Sequence, residues 1–410
     1  MINKSFRKLW TGDLISQFGD RITELALPLI AVATLAATQA QVGLLTAAAW
    51  TPNLLGVLAG AWVDRRPHRK AIMIVADLLR AAALFSLPIA HWLGMITMTQ
   101  LFVVALLSGV GQVLSMAAYQ SFFVTLVPPS QYVDANSKLS ISRSASFSAG
   151  PAIGGFLIQL LTAPVAVIFD AFSFLVSAAF LSRIPSTPVL HKKAGGVGHG
   201  VRYVFQHPYL RSALACVTTL NFFTFIAQAL AVLFASRTLG LSAGVIGVSF
   251  GLGAVGGLAG AALAPRLARR YGVGRLVLIG SILFPAPIAV MALATGPHWL
   301  AATIIAAGEA LSAAGVMVFD INLNAVQTAV TADHMRSRVS GVFSTINYGS
   351  RPLGAVIGGL LGSWIGVRPT LLLAAAGGTL CCLWLLPSPI PRIRTLADVG
   401  PAPELVHNEA

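Results

Sequence analysis

Acidic side chains interrupt otherwise apolar stretches at a few places in this sequence. Glu309 lies in one long apolar run, Asp20 and Glu24 stand four residues apart in another, and Asp77 lies in a third. An ionised side chain at the centre of a bilayer costs about 2.5–3.5 kcal/mol, so such residues usually face a cavity or a partner. A carboxyl group in a medium of low dielectric takes up a proton more readily than in water. We therefore expect these acids to be the proton-coupling candidates, with Glu309 first and Asp77 last.

Basic side chains occur in the same runs and are the expected charge partners. Arg21 adjoins Asp20, Arg80 follows Asp77 by three residues, and Arg351 lies deep in an apolar run that could adjoin the one carrying Glu309. The alternative for each acid is a static buried ion pair, which fixes helix register and carries no proton. Two further acids, weaker candidates because they can pair locally, are Asp170 and Asp320.

The composition requires these residues to be positioned by membrane helices. Hydrophobic residues make up 56% of the 410 residues, charged residues 10%, and the mean hydropathy is +0.80, which a water-soluble globule does not show. A spanning helix needs about 20 apolar residues. Twelve runs qualify, at about 11–37, 42–63, 71–90, 99–125, 139–161, 164–183, 213–236, 244–264, 275–294, 299–320, 340–364 and 369–387. The predicted fold class is therefore an all-α membrane protein with twelve transmembrane helices.

Basic residues are distributed unevenly between the two predicted sides of the membrane. Clusters at 65–70, 192–193 and 266–275 fall on one side, whereas only Arg237 and Arg368 fall on the other. Because Lys and Arg are retained on the cytoplasmic side, both termini are expected there, in a multi-pass protein of the cytoplasmic membrane. Basic loops that face anionic lipid account for the net charge of +14, so no nucleic acid partner is expected.

Residue types that would carry enzymatic or metal chemistry are not arranged for it. The cysteines Cys216, Cys381 and Cys382 lie in apolar runs without His or acid at ligand spacing, so neither a metal site nor a disulfide framework is predicted. The sequence contains no evident catalytic triad and no phosphate-binding loop with its lysine. We expect no enzyme, no cofactor and no direct use of ATP, and we expect a monomer.

The chain divides into two similar halves. A basic stretch rich in Gly and Pro at 185–212 has the composition of a linker. It separates a six-helix bundle at 1–184 from another at 213–387, and a proline-rich cytoplasmic tail, expected to be disordered, follows at 388–410.

Segments of one half resemble segments of the other. Residues 54–61 resemble 254–261, and residues 152–157 resemble 356–361. Transporter folds are commonly built from such repeats, so a duplication is predicted.

A short motif follows the second apolar run and resembles the signature of the major facilitator superfamily, G-x-x-x-D-R/K-x-G-R-R/K. Pro67 and His68 depart from that signature. The resemblance implies two pseudo-symmetric six-helix bundles with a gate at the cytoplasmic side, where an acid pairs with nearby arginines in one state. A solvated loop of basic residues is the alternative. The matching residues are Gly60, Asp64, Arg65 and Arg69.

A second motif on the predicted fifth helix resembles the G-P-x-x-G-G element of the antiporter branch of this superfamily. A proline beside glycines bends a helix and lets it pack closely, so a kinked packing seam is the alternative to a role in transport direction. The matching residues are Gly150, Pro151, Gly154 and Gly155.

Further segments resemble enterobactin-type siderophore exporters and macrolide efflux pumps. They lie at 76–82, 127–129, 135–136, 203–208 and 338–341. None of them names a substrate.

Aromatic and amide side chains near the middle of several runs are the candidates for a substrate cavity between the halves. Aromatic rings with a few amides suit a large amphipathic organic molecule. The candidates are Trp50, Tyr119, Asn221, Phe222, Phe225, Gln228, Asn347 and Tyr348.

These features favour a secondary transporter that exports a hydrophobic or amphipathic small molecule, such as a drug, antibiotic or siderophore, in exchange for protons. A symporter that takes up a metabolite is the first alternative. A non-transporting sensor built on a transporter frame is the second, and it predicts that the buried acids are dispensable.

Overall fold

The computed structural model describes residues 4–128, 131–185, 197–332, 335–396 and 399, and these residues are almost entirely helical, with no strand among them. The first half contains α1 (Lys4–Leu29), α2 (Gln39–Trp50), α3 (Gly56–Asp64), α4 (Arg69–Trp92), α5 (Met98–Leu126), α6 (Tyr132–Leu161) and α7 (Ala163–Ser182). The short helix α8 (Val197–Gln206) follows. The second half contains α9 (Pro208–Leu233), α10 (Ala243–Tyr271), α11 (Val273–Leu283), α12 (Pro287–Ala292), α13 (His298–Val330), α14 (Arg336–Trp364) and α15 (Val367–Thr379). Most of the predicted linker (186–196) and of the predicted tail (397–398 and 400–410) lies outside the described residues.

Within the described part of the chain, nine helical segments are long and apolar enough to cross a membrane. Residues 4–34, 39–64 and 336–364 also form helical segments of spanning length, but these are richer in charged residues or interrupted by a 3₁₀ turn. The all-helical prediction is therefore confirmed, while the count of twelve spans stays a prediction.

Each half folds as a bundle around its own long helices. In the first half α1 packs on α6 and α7, and α4 packs on α5 and α7; in the second, α13 packs on α10 and α11, and α9 packs on α14 and α15. The halves meet through two helix pairs, α6 with α10 and α2 with α14. The largest apolar core runs through both halves and includes the buried side chains of Ile30, Phe174 and Ile226.

Irregular turns recur at equivalent positions of the two halves. A π-helical turn at Ile30–Thr34 directly follows α1 in one half, and another at Phe234–Thr238 directly follows α9 in the other. The difference in residue number between these two π-helical turns equals that between Thr162 and Gly366. Both of these residues have a positive φ, at 79° and 89°. A positive φ is uncommon for a threonine, so its recurrence at equivalent positions supports the predicted duplication.

Basic groups mark one end of the bundle. Lys8 donates a hydrogen bond to the carbonyl oxygen of Arg183 (2.9 Å) and Lys70 to that of Ile184 (2.9 Å). These bonds bring together the starts of α1 and α4 and the end of α7, and we call this end of the bundle the basic end. The connection between α6 and α7 lies at the other end, which we call the opposite end.

At the opposite end the two halves touch backbone to backbone. A Cβ atom on Gly43 of α2 would lie 2.7 Å from Cα of Gly359 on α14, and one on Gly155 of α6 would lie 2.9 Å from Cα of Gly247 on α10. The offset that relates the two π-helical turns also relates Gly43 to Gly247 and Gly155 to Gly359. The two crossings are thus equivalent by the internal repeat, and only glycine lets the helices approach so closely.

An arginine also joins the halves at the opposite end. Arg237 follows α9 and donates hydrogen bonds from Nη1 to the carbonyl oxygen of Ala37 (2.7 Å) and from Nη2 to that of Val32 (2.8 Å). Carbonyl groups at a helix end lack partners within the helix, so this contact satisfies two of them across the interface.

Toward the basic end, the glycines of α3 and of the start of α14 face open space. A Cβ atom on Gly56, Gly60 or Gly341 would meet no atom of the described residues within 4 Å. The structure is therefore closed at the opposite end and open at the basic end.

Candidate functional site

A cavity of about 660 Å³ lies along the face that the second half turns toward the first. It runs from Phe234 and Leu371 at its deep end to Thr331 and Arg336 near the basic end. Five of the eight predicted cavity residues line it, namely Asn221, Phe225, Gln228, Asn347 and Tyr348. They come from α9 and α14, which pack side by side.

The other three predicted cavity residues have different surroundings. Trp50 reaches the cavity wall from the first half, with its ring centroid 5.1 Å from that of Phe225. Phe222 instead packs edge-on against Phe223, with centroids 5.2 Å apart. The structure does not bring Phe222 to the cavity, because its ring is on the side of α9 that packs into the apolar core.

Tyr119 also lies away from the cavity, inside the first half. Its ring stacks on Phe123 at 6.4 Å with an interplanar angle of 15°. Its hydroxyl group is buried and has no hydrogen-bond partner among the described residues. Its ring packs against two apolar clusters whose members all belong to the first half.

Arg351 is enclosed by three aromatic rings at the wall of the cavity. Its guanidinium carbon lies 4.5 Å from the ring centroid of Trp50, 4.9 Å from that of Phe225 and 4.4 Å from that of Tyr348. Its Nε donates a hydrogen bond to Oδ1 of Asn221 (3.0 Å). Cation–π contacts of this kind stabilise a guanidinium away from bulk water.

Glu309 projects from α13 into the same cavity. Its Cβ atom lies 3.2 Å from where a Cβ atom on Gly253 of α10 would be, so a small residue makes room for it. The pairing of Glu309 with Arg351 that the sequence allowed does not occur, because Asn221 and the aromatic rings draw Arg351 toward α9. No basic residue in the described part of the chain forms an ion pair with Glu309.

Asp320, a weaker candidate from the sequence, lies in the cavity lining. It is exposed and lines the same cavity as Arg351. The signal in the sequence was its position about three helical turns after Glu309, on the same helix face.

A polar network fills the interior of the first half. Arg80 forms an ion pair with Asp20 on α1, and its guanidinium lies 3.9 Å from the ring centroid of Phe174. The expected pair of Arg80 with Asp77 on its own helix is therefore replaced by a pair between helices. Asp77 is 6% exposed, and its Oδ2 has no hydrogen-bond partner among the described residues.

The remaining charges of this network are paired or hydrogen-bonded. Glu24 and Arg21, three residues apart on α1, form an ion pair at 2.6 Å in which the Glu24 side chain is 54% exposed. Asp170 is completely buried and accepts hydrogen bonds from Thr23 and from Ser173 (3.1 Å).

Asp13, which was not among the predicted site residues, belongs to the same polar face of α1. Gln17 donates a hydrogen bond to Oδ2 of Asp13 (2.6 Å) and accepts one from Ser146 of α6 (3.2 Å). Residues 13, 17, 20 and 24 follow the helical period, so extending that face by two turns from Asp20 would have found Asp13.

We expect Arg80→Gln to lower the free energy of unfolding by about 3–5 kcal/mol, because removing one partner of a buried ion pair leaves the other charge uncompensated. Unfolding of the purified protein by sodium dodecyl sulfate in mixed micelles measures this. Arg65→Gln, in an exposed position between α3 and α4, is the control and should change little. Adding Asp20→Asn to Arg80→Gln should restore part of the lost free energy of unfolding. Equal stability of Arg65→Gln, Arg80→Gln and the double variant would contradict the ion pair between Arg80 and Asp20.

The two sequence motifs occupy different environments. In the first, Gly60 and Arg65 lie on the open basic end, and Arg69 is buried. The side chain of Asp64 lies outside the described residues, so its gating role stays a prediction.

The second motif packs α6 between α1 and α10. A Cβ atom on Gly150 would lie 2.5 Å from Cγ of Arg21, and one on Gly154 would lie 3.1 Å from Cα of Ile22. Gly155 makes the crossing with Gly247, beside the carbonyl oxygen of Pro151. The motif therefore lets one helix contact both halves.

A family profile described as transmembrane secretion effector matches residues 1–406. The chain belongs to the transmembrane secretion effector family, within the major facilitator superfamily. The match confirms the superfamily resemblance seen in the motifs. Transmembrane secretion effectors have the family and fold of membrane transporters, so this chain is a multi-pass membrane protein whose family transports small molecules.

Relatives of this transmembrane secretion effector include efflux pumps. The multidrug efflux pump Tap of Mycobacterium tuberculosis (strain ATCC 25618 / H37Rv) is 25% identical over 429 residues, which cover 96% of this chain and 94% of that protein. The uncharacterized MFS-type transporter YfiS of Bacillus subtilis (strain 168) is 25% identical over 388 residues, which cover 90% and 89%.

Solved structures with the same fold as this transmembrane secretion effector carry different cargoes. The nucleoside transporter NupG matches with a TM-score of 0.75 at 13% identity, covering 94% of this chain and 99% of that one. A bacterial homologue of the iron transporter ferroportin matches with a TM-score of 0.75 in its inward-facing state, at 18% identity and covering 94% and 98%. The same homologue in its outward-facing state matches with a TM-score of 0.61, at 18% identity and covering 94% and 99%. At these identities the likeness shows the fold alone.

Proposed function

We propose that this protein is a proton-coupled exporter of hydrophobic or amphipathic small molecules in the cytoplasmic membrane. It works by alternating access between its two bundles, each contributing six of twelve transmembrane segments, with both termini in the cytoplasm. Protons and the exported molecule are its two cargoes, the surrounding lipid is its only other partner, and it acts as a monomer.

The observation that carries this proposal is the position of Glu309. It lines a cavity of about 660 Å³ whose lining residues all belong to the second half, and no described basic residue forms an ion pair with it. A carboxyl group that is shielded from water and lacks a cation can alternate between its charged and neutral forms. Asp20 is paired with Arg80 and Glu24 with Arg21, and a nearby cation favours the charged form of a carboxyl group, which opposes such alternation. Asp77, with one oxygen unpartnered among the described residues, is the next candidate after Glu309.

The open basic end corresponds to the cytoplasmic side in this proposal. Retention of basic loops in the cytoplasm gives that orientation, and the cavity then faces the cytoplasm as it does in an exporter waiting for substrate.

Two observations favour export over uptake. The Gly-Pro-x-x-Gly-Gly element on α6 resembles that of the antiporter branch, and its residues contact both halves. Relatives covering nearly the whole chain are described as multidrug efflux pumps. The uptake alternative lacks a comparable observation, and a sensor would not require a large cavity lined by an unpaired acid.

Everted membrane vesicles containing the protein test this proposal. Respiration acidifies their lumen, so an exporter should concentrate the dyes Hoechst 33342 and rhodamine 110 inside in exchange for protons. Addition of the protonophore CCCP, which collapses the gradient, should reduce the initial rate about tenfold or more, to that of vesicles without the protein. Accumulation that persists after collapse contradicts proton coupling, and gradient-driven expulsion of the dyes from the lumen contradicts export.

A further inference from the structure

We propose that Arg351 is the group that recognises the exported molecule, and that the cavity selects amphipathic organic anions and zwitterions. Such molecules carry a carboxylate or a similar oxyanion beside a flat apolar body. This inference rests on the proposed function, because it takes the cavity to be the transport site, and it narrows the substrate class.

The side chain of Arg351 is held in one orientation. Asn221 accepts the hydrogen bond of Nε at 3.0 Å, and Trp50, Phe225 and Tyr348 enclose the guanidinium at 4.4–4.9 Å from carbon to ring centroid. Trp50 and Phe225 are themselves packed edge-to-face at 5.1 Å. A long flexible side chain thus loses its freedom before any ligand binds, which lowers the entropic cost of binding.

The terminal nitrogens of Arg351 remain available. Nη1 and Nη2 make no hydrogen bond to another described residue, and they are not among the buried polar atoms. Because Arg351 lines the cavity, these two nitrogens present their N–H groups to its open volume. A guanidinium edge with two parallel N–H groups fits an oxyanion with two oxygens, such as a carboxylate.

The aromatic rings argue against a permanently cationic ligand at this position. A cage of three rings is the usual recognition site for a cationic group, but here the protein's own guanidinium occupies it. A ligand cation would have to displace Arg351 or lie against its charge in a medium of low dielectric. The exposed edges of the rings instead offer a flat apolar wall next to the guanidinium.

Acidic residues elsewhere in the cavity make zwitterions suitable ligands as well. Glu309 and Asp320 on α13 line the same volume as Arg351 on α14. An amino group on the same ligand therefore has an acidic partner, whereas a ligand with only an amino group leaves Arg351 unpaired. Arg336, at the mouth near the basic end, is the other lining cation among the described residues.

Two dyes that differ in one methyl group test this inference. Rhodamine 110 has a free carboxylate, and rhodamine 123 is its methyl ester and a permanent cation. Equilibrium binding of each dye to the purified protein in lipid nanodiscs is measured by fluorescence polarisation, without any proton gradient. We expect rhodamine 110 to bind about tenfold or more tightly than rhodamine 123, as for one charge-assisted hydrogen-bonded pair.

Variants of Arg351 and of a control arginine show which residue causes the preference for the carboxylate dye. Arg351→Gln should bring the affinity ratio of the two dyes close to one, and Arg351→Lys, which keeps the charge without the two-pronged edge, should leave a smaller preference. Arg269→Gln removes the same charge at an exposed position in the last turn of α10, outside the cavity lining, and should leave the ratio unchanged. Size-exclusion profiles and binding of rhodamine 123 show whether Arg351→Gln is folded. If it is not folded, Arg351→Lys decides the question. An affinity ratio in Arg351→Lys equal to that of the unsubstituted protein then overturns the inference.

The inference is overturned if rhodamine 123 binds as tightly as rhodamine 110, if rhodamine 110 shows no saturable binding, or if Arg351→Gln keeps the carboxylate preference. Binding is measured without a gradient, so these outcomes are separate from those of the vesicle experiment. Proton-driven export of Hoechst 33342 with no carboxylate preference would sustain the proposed function and reject the substrate class.

Discussion

Glu309→Gln is expected to abolish proton-driven export, with the initial rate in everted vesicles falling at least about 100-fold, or about 2.7 kcal/mol. Glutamine has nearly the same shape as glutamic acid and occupies the same space beside Gly253, but it cannot release a proton. A cycle that needs proton release then stops, while substrate binding and reorientation with bound substrate remain possible.

Exchange of labelled for unlabelled rhodamine 110 across the membrane separates these steps, because it needs no net proton movement. We expect Glu309→Gln to retain exchange and to lose gradient-driven accumulation. Glu309→Asp, which keeps a carboxyl group one methylene shorter, is the matched control and should retain measurable accumulation.

The same measurement on Asp77→Asn shows which half carries the proton. Glu309 as carrier predicts that Asp77→Asn retains gradient-driven accumulation. Undiminished accumulation by Glu309→Gln, with loss in Asp77→Asn, would move the proton site into the polar network of the first half.

Gly43→Ala is expected to shift the protein away from the state in which the opposite end is closed. The added Cβ atom would lie 2.6 Å from the carbonyl oxygen of Ala355 and 2.7 Å from Cα of Gly359, and both are backbone atoms that cannot turn aside. Overpacking of this kind costs about 1–3 kcal/mol, which changes the ratio of two conformations about 5–150-fold. Export should fall accordingly.

Gly56→Ala is the matched control, since it makes the same change near the open basic end, where no described atom lies within 4 Å of the added Cβ. Spin labels on Leu161 of α6 and Trp364 of α14, both exposed at the opposite end, measure the separation of the halves in a cysteine-free background. A longer distance should appear in Gly43→Ala and not in Gly56→Ala. An unchanged distance distribution in Gly43→Ala would contradict the crossing of α2 and α14 as the closed contact.

The two glycine crossings also explain why the antiporter-like motif could be found but not fully interpreted from sequence. Gly155 was visible as part of a motif, and its contact with Gly247 follows from the packing of α6 on α10. Gly43 belongs to no motif, yet it occupies the equivalent position in the other crossing. The internal repeat relates the two pairs, and only the structure shows that both pairs meet.

The sequence alone determined the class of this protein and the places where charge interrupts its apolar runs. Run length and composition fix helices in a membrane, because every backbone polar group must be satisfied within the segment. The motif at Gly60 indicated the superfamily, and periodicity on α1 placed Asp20 and Glu24 on one face. These are local properties, which a chain carries wherever its helices pack.

Only the tertiary structure decided which charges meet. Arg80 could pair with Asp77 on its own helix or with an acid on another, and helix packing selected Asp20. Arg351 could pair with Glu309, but Asn221 and three aromatic rings hold it, so Glu309 is left without a cation among the described residues. Partner choice depends on distances of a few ångströms between helices far apart in sequence, and the strength of an ion pair in low dielectric changes steeply over such distances.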